Sequence, residues 1–286
     1  MVNSGHDAAP RRIRQVEFHS RAHPGVPVEV LNRADLITRF GARFFDRPDR
    51  PAFDGLLLIH DGTGTHTVDF ETIALRPGRL IRTRPGQVQS WDTEADIQAS
   101  LVIAGPVPET GSAWFPGHRA YCDLDDDELL TADNIVAALR REQARFDGNE
   151  PSTRLLIGLY TALGALFDRA TEILEPAATA DPYTAFRLAL ETDLGRSHNV
   201  REYAGALGYA ERTISRACQR ATGLTAKGVL DQRLVLEAKR LLAHTDMAAA
   251  AISGNLGFSE PTNFTKFFVR RTGQRPSEFR SSVRSG

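Results

Sequence analysis

Two stretches near the carboxy-terminal end hold the side chains best suited to chemistry. They are ERTISRACQRAT, Glu211 to Thr222, and PTNFTKFFVRRT, Pro261 to Thr272. Each is basic, and each follows a Leu-Gly-aromatic triplet, Leu207-Gly208-Tyr209 or Leu256-Gly257-Phe258. Read as helices, both divide into two faces. Ile214 and Cys218, and Phe264 and Phe268, are i, i+4 pairs that point to a core. Arg212, Ser215 and Arg216 lie on another side of the first helix, and Thr262, Asn263 and Lys266 on another side of the second. Their tips are guanidinium, hydroxyl, carboxamide and ammonium groups near the amino-terminal half of a helix. Arg and Lys suit the acceptor edge of guanine, and Asn suits adenine. A solvated helix face carries the same residue types. These two are set apart by occurring twice on matching turns.

The match is a repeat of low identity. Leu-Gly-aromatic recurs at an offset of 49, and Arg-x-Thr-Gly (Arg220 to Gly223, Arg270 to Gly273) at an offset of 50. The second copy therefore gains one residue near the start of its helix. In each copy a short helix (VREYAGAL or MAAAAISGNL) meets a glycine turn, then a second helix that ends at glycine. That is helix–turn–helix geometry. Gly208 and Gly257 fit a turn position of positive φ, and Pro261 fits a first helical turn. Between the copies, LTAKGVLDQRLVLEAKRLLAHTD predicts a long joining helix with Leu230, Leu234, Leu241 and Leu242 as its apolar stripe. Such a helix holds two readers roughly one DNA turn apart, ~34 Å. Arg220, Arg270, Arg271, Arg275 and Arg280 are candidate phosphate contacts. Charge agrees in sign. Of 35 basic and 36 acidic residues, positions 181–286 hold 16 and 10, a net of +6, which leaves −7 elsewhere. One module is suited to a polyanion and the other is not.

The rest of the chain reads differently. With 41% hydrophobic and 25% charged residues the composition is globular. Two distant cysteines, Cys122 and Cys218, make no disulfide framework and fit a reducing cytosol, with Cys218 as core. No apolar run is long enough to span a membrane, and the first residues lack a secretory h-region. From Asp54 to Ala104 short apolar runs alternate with turn signals: DGTG, Arg76-Pro77-Gly78 and Arg84-Pro85-Gly86. Strands at that spacing predict a sandwich or barrel. DLDDDELLTADNIVAALRREQARF then opens a helix on carboxylates, which favour the positive end of the helix dipole. STRLLIGLYTALGALFDRATEIL predicts a second helix whose apolar residues cover more than one face, as a dimer interface would. EPAATADP, Glu175 to Pro182, has linker character.

The carboxy-terminal hundred residues resemble the DNA-binding domain of the AraC/XylS family of bacterial transcription regulators. The resemblance rests on RLVLEAKRLLAHTDM followed by AAISGNLGFSEPTNFTKFFVRRTGQRPSEFR, with Leu256-Gly257-Phe258, Phe264, Lys266, Phe268, Gly273, Pro276 and Phe279-Arg280 at the family's signature positions. It implies two helix–turn–helix units on a long helix, with Arg212, Ser215 and Arg216 facing one major groove and Thr262, Asn263 and Lys266 the next. The family usually has Arg at Lys266, and Ile-Ala where Ile252-Ser253 stands. The strand series with GRLIRTRPGQVQSW resembles, less closely, the cupin-like barrel that precedes this domain in many members.

The expected fold class is α+β. A cupin-like sensor and dimerisation domain spans 1–175 (barrel about 15–115, helices about 125–175), a linker 176–182, and an all-α double helix–turn–helix domain 183–286. The expected partners are operator DNA, a second copy through the helices of 125–175, a small effector in the barrel, and RNA polymerase if the protein activates. The expected location is the bacterial cytoplasm, on the nucleoid. Gln89 and Trp91 are the candidate effector residues, although Trp91 fits ordinary core equally. A cupin enzyme with a DNA-binding tail is the alternative. Such enzymes place two histidines and a glutamate on one strand and a third histidine after the Pro-Gly turn, where this chain has Gln89. His60 and His66 flank the DGTG turn, and His19 and His23 precede the barrel. No metal, cofactor or catalytic residue is therefore expected. A barrel that only dimerises is the third reading.

Overall fold

The computed structural model of the chain describes residues 14–18, 25–92, 95–105, 119–171 and 182–284. It divides into two compact units, Arg14–Pro176 and Ala177–Gly286. Most of the expected linker, with His19 and His23, lies outside the described residues; Pro182 opens the first helix of the second unit.

In the first unit, the described strands are β1 (Arg14–Val16), β2 (Val28–Leu31), β3 (Asp49–Pro51), β4 (Asp54–Val68), β5 (Glu71–Leu75), β6 (Arg79–Thr83), β7 (Gln89–Trp91), β8 (Asp96–Ala104) and β9 (Tyr121–Asp123). They form one nine-stranded sheet that curls into a half-barrel. β4 is its spine, pairing antiparallel with β5, β6, β7 and β8. The apolar run in β4 reads without alternation because both of its faces are covered. Leu56 and Leu58 pack with Leu80, Val102 and two helices, while Leu57 and Ile59 face the barrel interior with Val68, Ile73 and Ile81. The helices are α2 (Asp126–Ala144) and α3 (Glu150–Ala170). The carboxylate run starts α2 as a capping box, in which Asp125 accepts from the Glu128 amide and Glu128 reaches back. A buried ion cluster ties α3 to the sheet: Arg82 Nη2 lies 3.1 Å from Asp54 and Nη1 3.2 Å from Asp168.

Two elements differ from expectation. Asp61–Gly64 is no turn. β4 runs straight through it with a register shift between Ile59 and Asp61, and its far half pairs with β5, β7 and β8. Pairing on both edges overrides the local turn chemistry. Gly62, at φ +94°, is where Asp96 approaches: a Cβ there would lie 1.9 Å from the Asp96 carbonyl oxygen. His60 and His66 therefore sit on one strand. The second difference is a helix inside the barrel series, α1 (Arg33–Phe40), opened by a reciprocal Asn32–Asp35 cap and followed by a 3-10 turn, Ala42–Asp46.

The second unit is helical throughout its described residues: α4 (Pro182–Thr192), α5 (Val200–Ala206), α6 (Glu211–Thr222), α7 (Ala226–His244), α8 (Ala249–Asn255), α9 (Pro261–Thr272) and α10 (Pro276–Arg284). α7 has 19 residues, or about 28 Å at 1.5 Å per residue. Leu230, Leu234 and Leu242 of its stripe are buried. No helix among the described residues is long and apolar enough to cross a membrane.

Candidate nucleic-acid interface

α5–α6 and α8–α9 are built alike. Gly208 and Gly257 hold φ +72° and +75° in the two turns, and Gly223 and Gly273 cap the second helices at +71° and +77°. The backbone bonds also repeat. The Tyr209 amide donates to Ala204 and the Phe258 amide to Ser253; the Gly208 and Gly257 amides donate to the residue three before, and the Gly223 and Gly273 amides to the residue four before. The extra residue of the second copy falls just ahead of α9: Ser259-Glu260 occupies the place where the first copy has Ala210 alone.

Each second helix buries one stripe. Ile214, Ala217 and Cys218 of α6 are buried, and so are Phe264, Phe267 and Phe268 of α9. Phe258 joins the second set, with its ring centroid 5.5 Å from Phe264 and 5.2 Å from Phe267. The opposite faces are open. Arg212 and Arg216 are exposed and Ser215 is half-buried; Thr262, Asn263 and Lys266 are all exposed. Asn263 Nδ2 leans to Ser259 Oγ at 3.5 Å. With α6 and α9 in register, Thr213 stands at the place of Asn263 and is exposed, whereas Ser215 matches half-buried Thr265. Thr213 was missed by the sequence reading, yet the offset of 50 between the two helices would have found it.

The five expected phosphate cations separate into two groups. Arg220, Arg270 and Arg275 are exposed. Arg271, which is also exposed, and Arg280 each hold partners within the unit. Arg271 pairs with the buried carboxylate of Asp231 on α7, whose other oxygen lies 2.7 Å from Lys227 Nζ. Arg280 donates through Nε to the Leu242 carbonyl at 3.1 Å and through Nη2 to that of Met247. Sequence cannot tell such cations from free ones, because their partners are a carboxylate and two carbonyls some 30 to 40 positions away.

In the other unit, Gln89 and Trp91 do line one interior cavity, with Leu36, Phe44, Asp49 and Phe53. It measures about 20 Å³, room for a single water and far below a drug-sized pocket. Gln89 is also committed, donating to Asp49 Oδ1 at 2.9 Å. Trp91 packs on His66 at 4.3 Å and Phe45 at 5.7 Å. The expected effector residues thus sit together in an almost filled interior. Burial pushes Asp49 up to about 6 and His66 down to about 4. His60 faces outward to Asp133 at 3.2 Å and Ser100 at 2.8 Å. Among the described residues no three His, Cys, Asp or Glu side chains group as metal ligands.

Two helix–turn–helix units in tandem on one connecting helix, each with a polar, cation-bearing outer face, define a DNA-binding protein. Residues 203–282 match the family described as a helix-turn-helix domain, and the transcriptional activator RhaR of Klebsiella pneumoniae is 25% identical over 249 residues, 82% of this chain and 86% of that protein. The carboxy-terminal unit carries a helix-turn-helix domain of the AraC type, and the chain is a sequence-specific DNA-binding regulator of transcription. RhaR of Enterobacter sp. strain 638 is 23% identical over 288 residues, covering 96% and 98% of the two chains. RhaS of Escherichia fergusonii is 22% identical over 244 residues, covering 80% and 85%. Among solved structures, ToxT from Vibrio cholerae aligns with a TM-score of 0.41 at 9% identity, over 89% of this chain and 98% of that one. The AdpA DNA-binding domain in complex with a target DNA aligns with a TM-score of 0.35 at 26% identity, over 37% and 96%.

Proposed function

We propose that α6 and α9 are the two reading helices, with Arg212, Ser215 and Arg216 toward one major groove and Thr262, Asn263 and Lys266 toward the next. The observation that supports this most is the repeated division of faces. Each helix buries its apolar stripe at matching positions and leaves hydrogen-bonding tips on the other side. Thr213 joins the first set, and Arg220, Arg270 and Arg275 hold the phosphate backbone. A sequence preference selected from random duplexes with the full chain tests this reading. Arg216→Ala should weaken the selected site by ~1–3 kcal/mol and relax preference at one or two base pairs. Equal loss on unrelated DNA would make Arg216 a phosphate contact instead. Affinity should fall by ~0.9 log units per tenfold rise in salt for each phosphate neutralised.

The amino-terminal unit is read as a non-catalytic sensor and dimerisation domain, and the protein as a cytoplasmic one that meets RNA polymerase if it activates. Leu130 and Leu155, on α2 and α3, are exposed, which suits pairing with a second copy. An effector at Asp49, Gln89 and Trp91 must displace side chains such as Leu36 or Phe44, because the cavity is small. A metabolite that binds only the folded form raises the unfolding midpoint by mass action. Sedimentation of Leu130→Glu with Leu155→Glu tests the dimer: a monomer supports it, and an unchanged mass removes these helices from the interface.

A further inference from the structure

The joining helix is not the only tie between the two helix–turn–helix units. The loop between α4 and α5 lies directly on the turn between α8 and α9. His198 Nε2 bonds the Leu256 carbonyl oxygen at 2.7 Å, so this nitrogen carries the proton and donates. The same imidazole packs on Phe258, centroids 4.2 Å apart. Phe258 in turn rests on Phe264 and Phe267 of α9. The two backbones approach as closely as they can: a Cβ at Gly257 would sit 1.9 Å from the Gly195 carbonyl oxygen. A second path starts from the same residue. Lys227 Nζ donates to the His198 carbonyl at 3.1 Å and pairs with Asp231, and Asp231 holds Arg271 of α9. On the other side, Tyr203 Oη of α5 donates to the Asp193 carbonyl at 2.8 Å, anchoring the loop to the first helix–turn–helix unit.

We infer that His198 is a specificity-determining positioning residue, the pin that fixes the distance and rotation between the two reading helices. The inference rests on the proposal that both α6 and α9 read DNA. A pair of helices joined by one long helix can rock about it. A third point of contact, at the entrance of one unit and the turn of the other, closes a ring through α5, α9 and α7 and removes that freedom. The consequence is a property of the pair and not of either reader. A rigid pair engages two half-sites only at one spacing, and it loses a reader or distorts the DNA when the spacing changes. A loose pair follows a changed spacing at the cost of effective concentration on the correct one. His198 itself lies between the readers and is not among the side chains proposed to face DNA.

The test uses full-length protein and a two-half-site duplex selected with it, together with duplexes carrying one base pair more or fewer between the half-sites. Each such change moves one half-site by about 3.4 Å and about 34°. Wild type should bind the altered spacings at least about tenfold more weakly than the selected one. His198→Ala should bind the selected spacing about fivefold more weakly than wild type, as expected for loss of one hydrogen bond, and should discriminate against the altered spacings by less than about threefold. Base preferences within each half-site should not change. His198→Gln retains an N–H donor and should recover part of the discrimination. If His198→Ala keeps the wild-type ratio between spacings, the inference fails, even where overall affinity or thermal stability drops. If wild type ignores spacing, or tolerates a scrambled second half-site, the two-reader proposal has failed first, and the pin with it.

Discussion

Replacing Asp49 with Asn should change how the amino-terminal unit responds to pH, in a direction the buried cluster dictates. Asp49 and His66 are each about 1% exposed. Burial raises the Asp49 pKa from 3.8 to about 6, against the hydrogen bond from Gln89 and the charge of Arg14. It lowers that of His66 from 6.5 to about 4, against the hydrogen bonds the imidazole donates to Gln89 and to the Ser90 backbone. The native state therefore holds Asp49 protonated between pH 3.8 and 6, where the unfolded chain has released that proton. Stability falls as pH rises through this window. His66 is the reverse: the unfolded chain takes up a proton below 6.5 that the native state refuses until about 4, so stability falls as pH drops. Each shift spans a little over 2 units, or about 3 kcal/mol at 1.36 kcal/mol per unit. The windows overlap and the slopes oppose, so the pair leaves wild type nearly flat between pH 4 and 6.5. Asp49→Asn keeps an acceptor for Gln89 and removes only the Asp49 slope. The variant should lose about 3 kcal/mol between pH 6.5 and 4. Both tryptophans, Trp91 and Trp114, belong to this half of the chain, so urea unfolding followed by tryptophan fluorescence reports this unit selectively. A variant curve parallel to wild type within about 1 kcal/mol would show that the two buried groups do not titrate as their burial requires.

Three further substitutions probe other contacts. Ser253 is buried in α8 with no hydrogen-bond partner for its hydroxyl among the described residues, so Ser253→Ala should stabilise the second unit by about 1 kcal/mol in urea unfolding followed by helical circular dichroism. Arg82→Met removes the buried cation that faces the buried Asp54 carboxylate and should cost about 3–5 kcal/mol, read by tryptophan fluorescence; a loss under 1 kcal/mol would mean that the pair is dispensable. Arg280→Ala should lower the stability of the second unit and leave the salt dependence of DNA binding unchanged, whereas Arg270→Ala should reduce the salt slope by about 1 and leave stability unchanged.

The second unit was legible because its information is local. Glycines at 208, 223, 257 and 273 each mark a positive φ, and i, i+4 apolar pairs between them give the buried stripes. The barrel was harder to read because its decisive interactions are distant. DGTG has the composition of a turn, but neighbouring strands on both edges of β4 hold it extended. α1 is short, and its signals, the Asn32–Asp35 cap, the Leu36–Phe40 spacing and Gly41 behind it, span only two turns. The same limit applies at the candidate interface. Arg270 and Arg271 are neighbours in sequence, yet one is open and the other held by Asp231. Gln89 reads as a polar residue available to a ligand, but Asp49, 40 positions away, takes its carboxamide. His198 carries no motif at all; its role emerges only where the chain returns 58 residues later to Leu256.

The central claim, that two helices of one chain read two grooves, is tested most directly by footprinting the full-length double variant Asn263→Ala with Lys266→Ala on a selected site. Both side chains are exposed on α9 and neither belongs to its buried phenylalanine stripe, so the fold should stand. Wild type should protect two major-groove segments on one face of the duplex, about one turn apart. The double variant should lose protection over one segment and keep the other. Two intact segments at wild-type affinity would contradict the assignment of α9 as a reading helix.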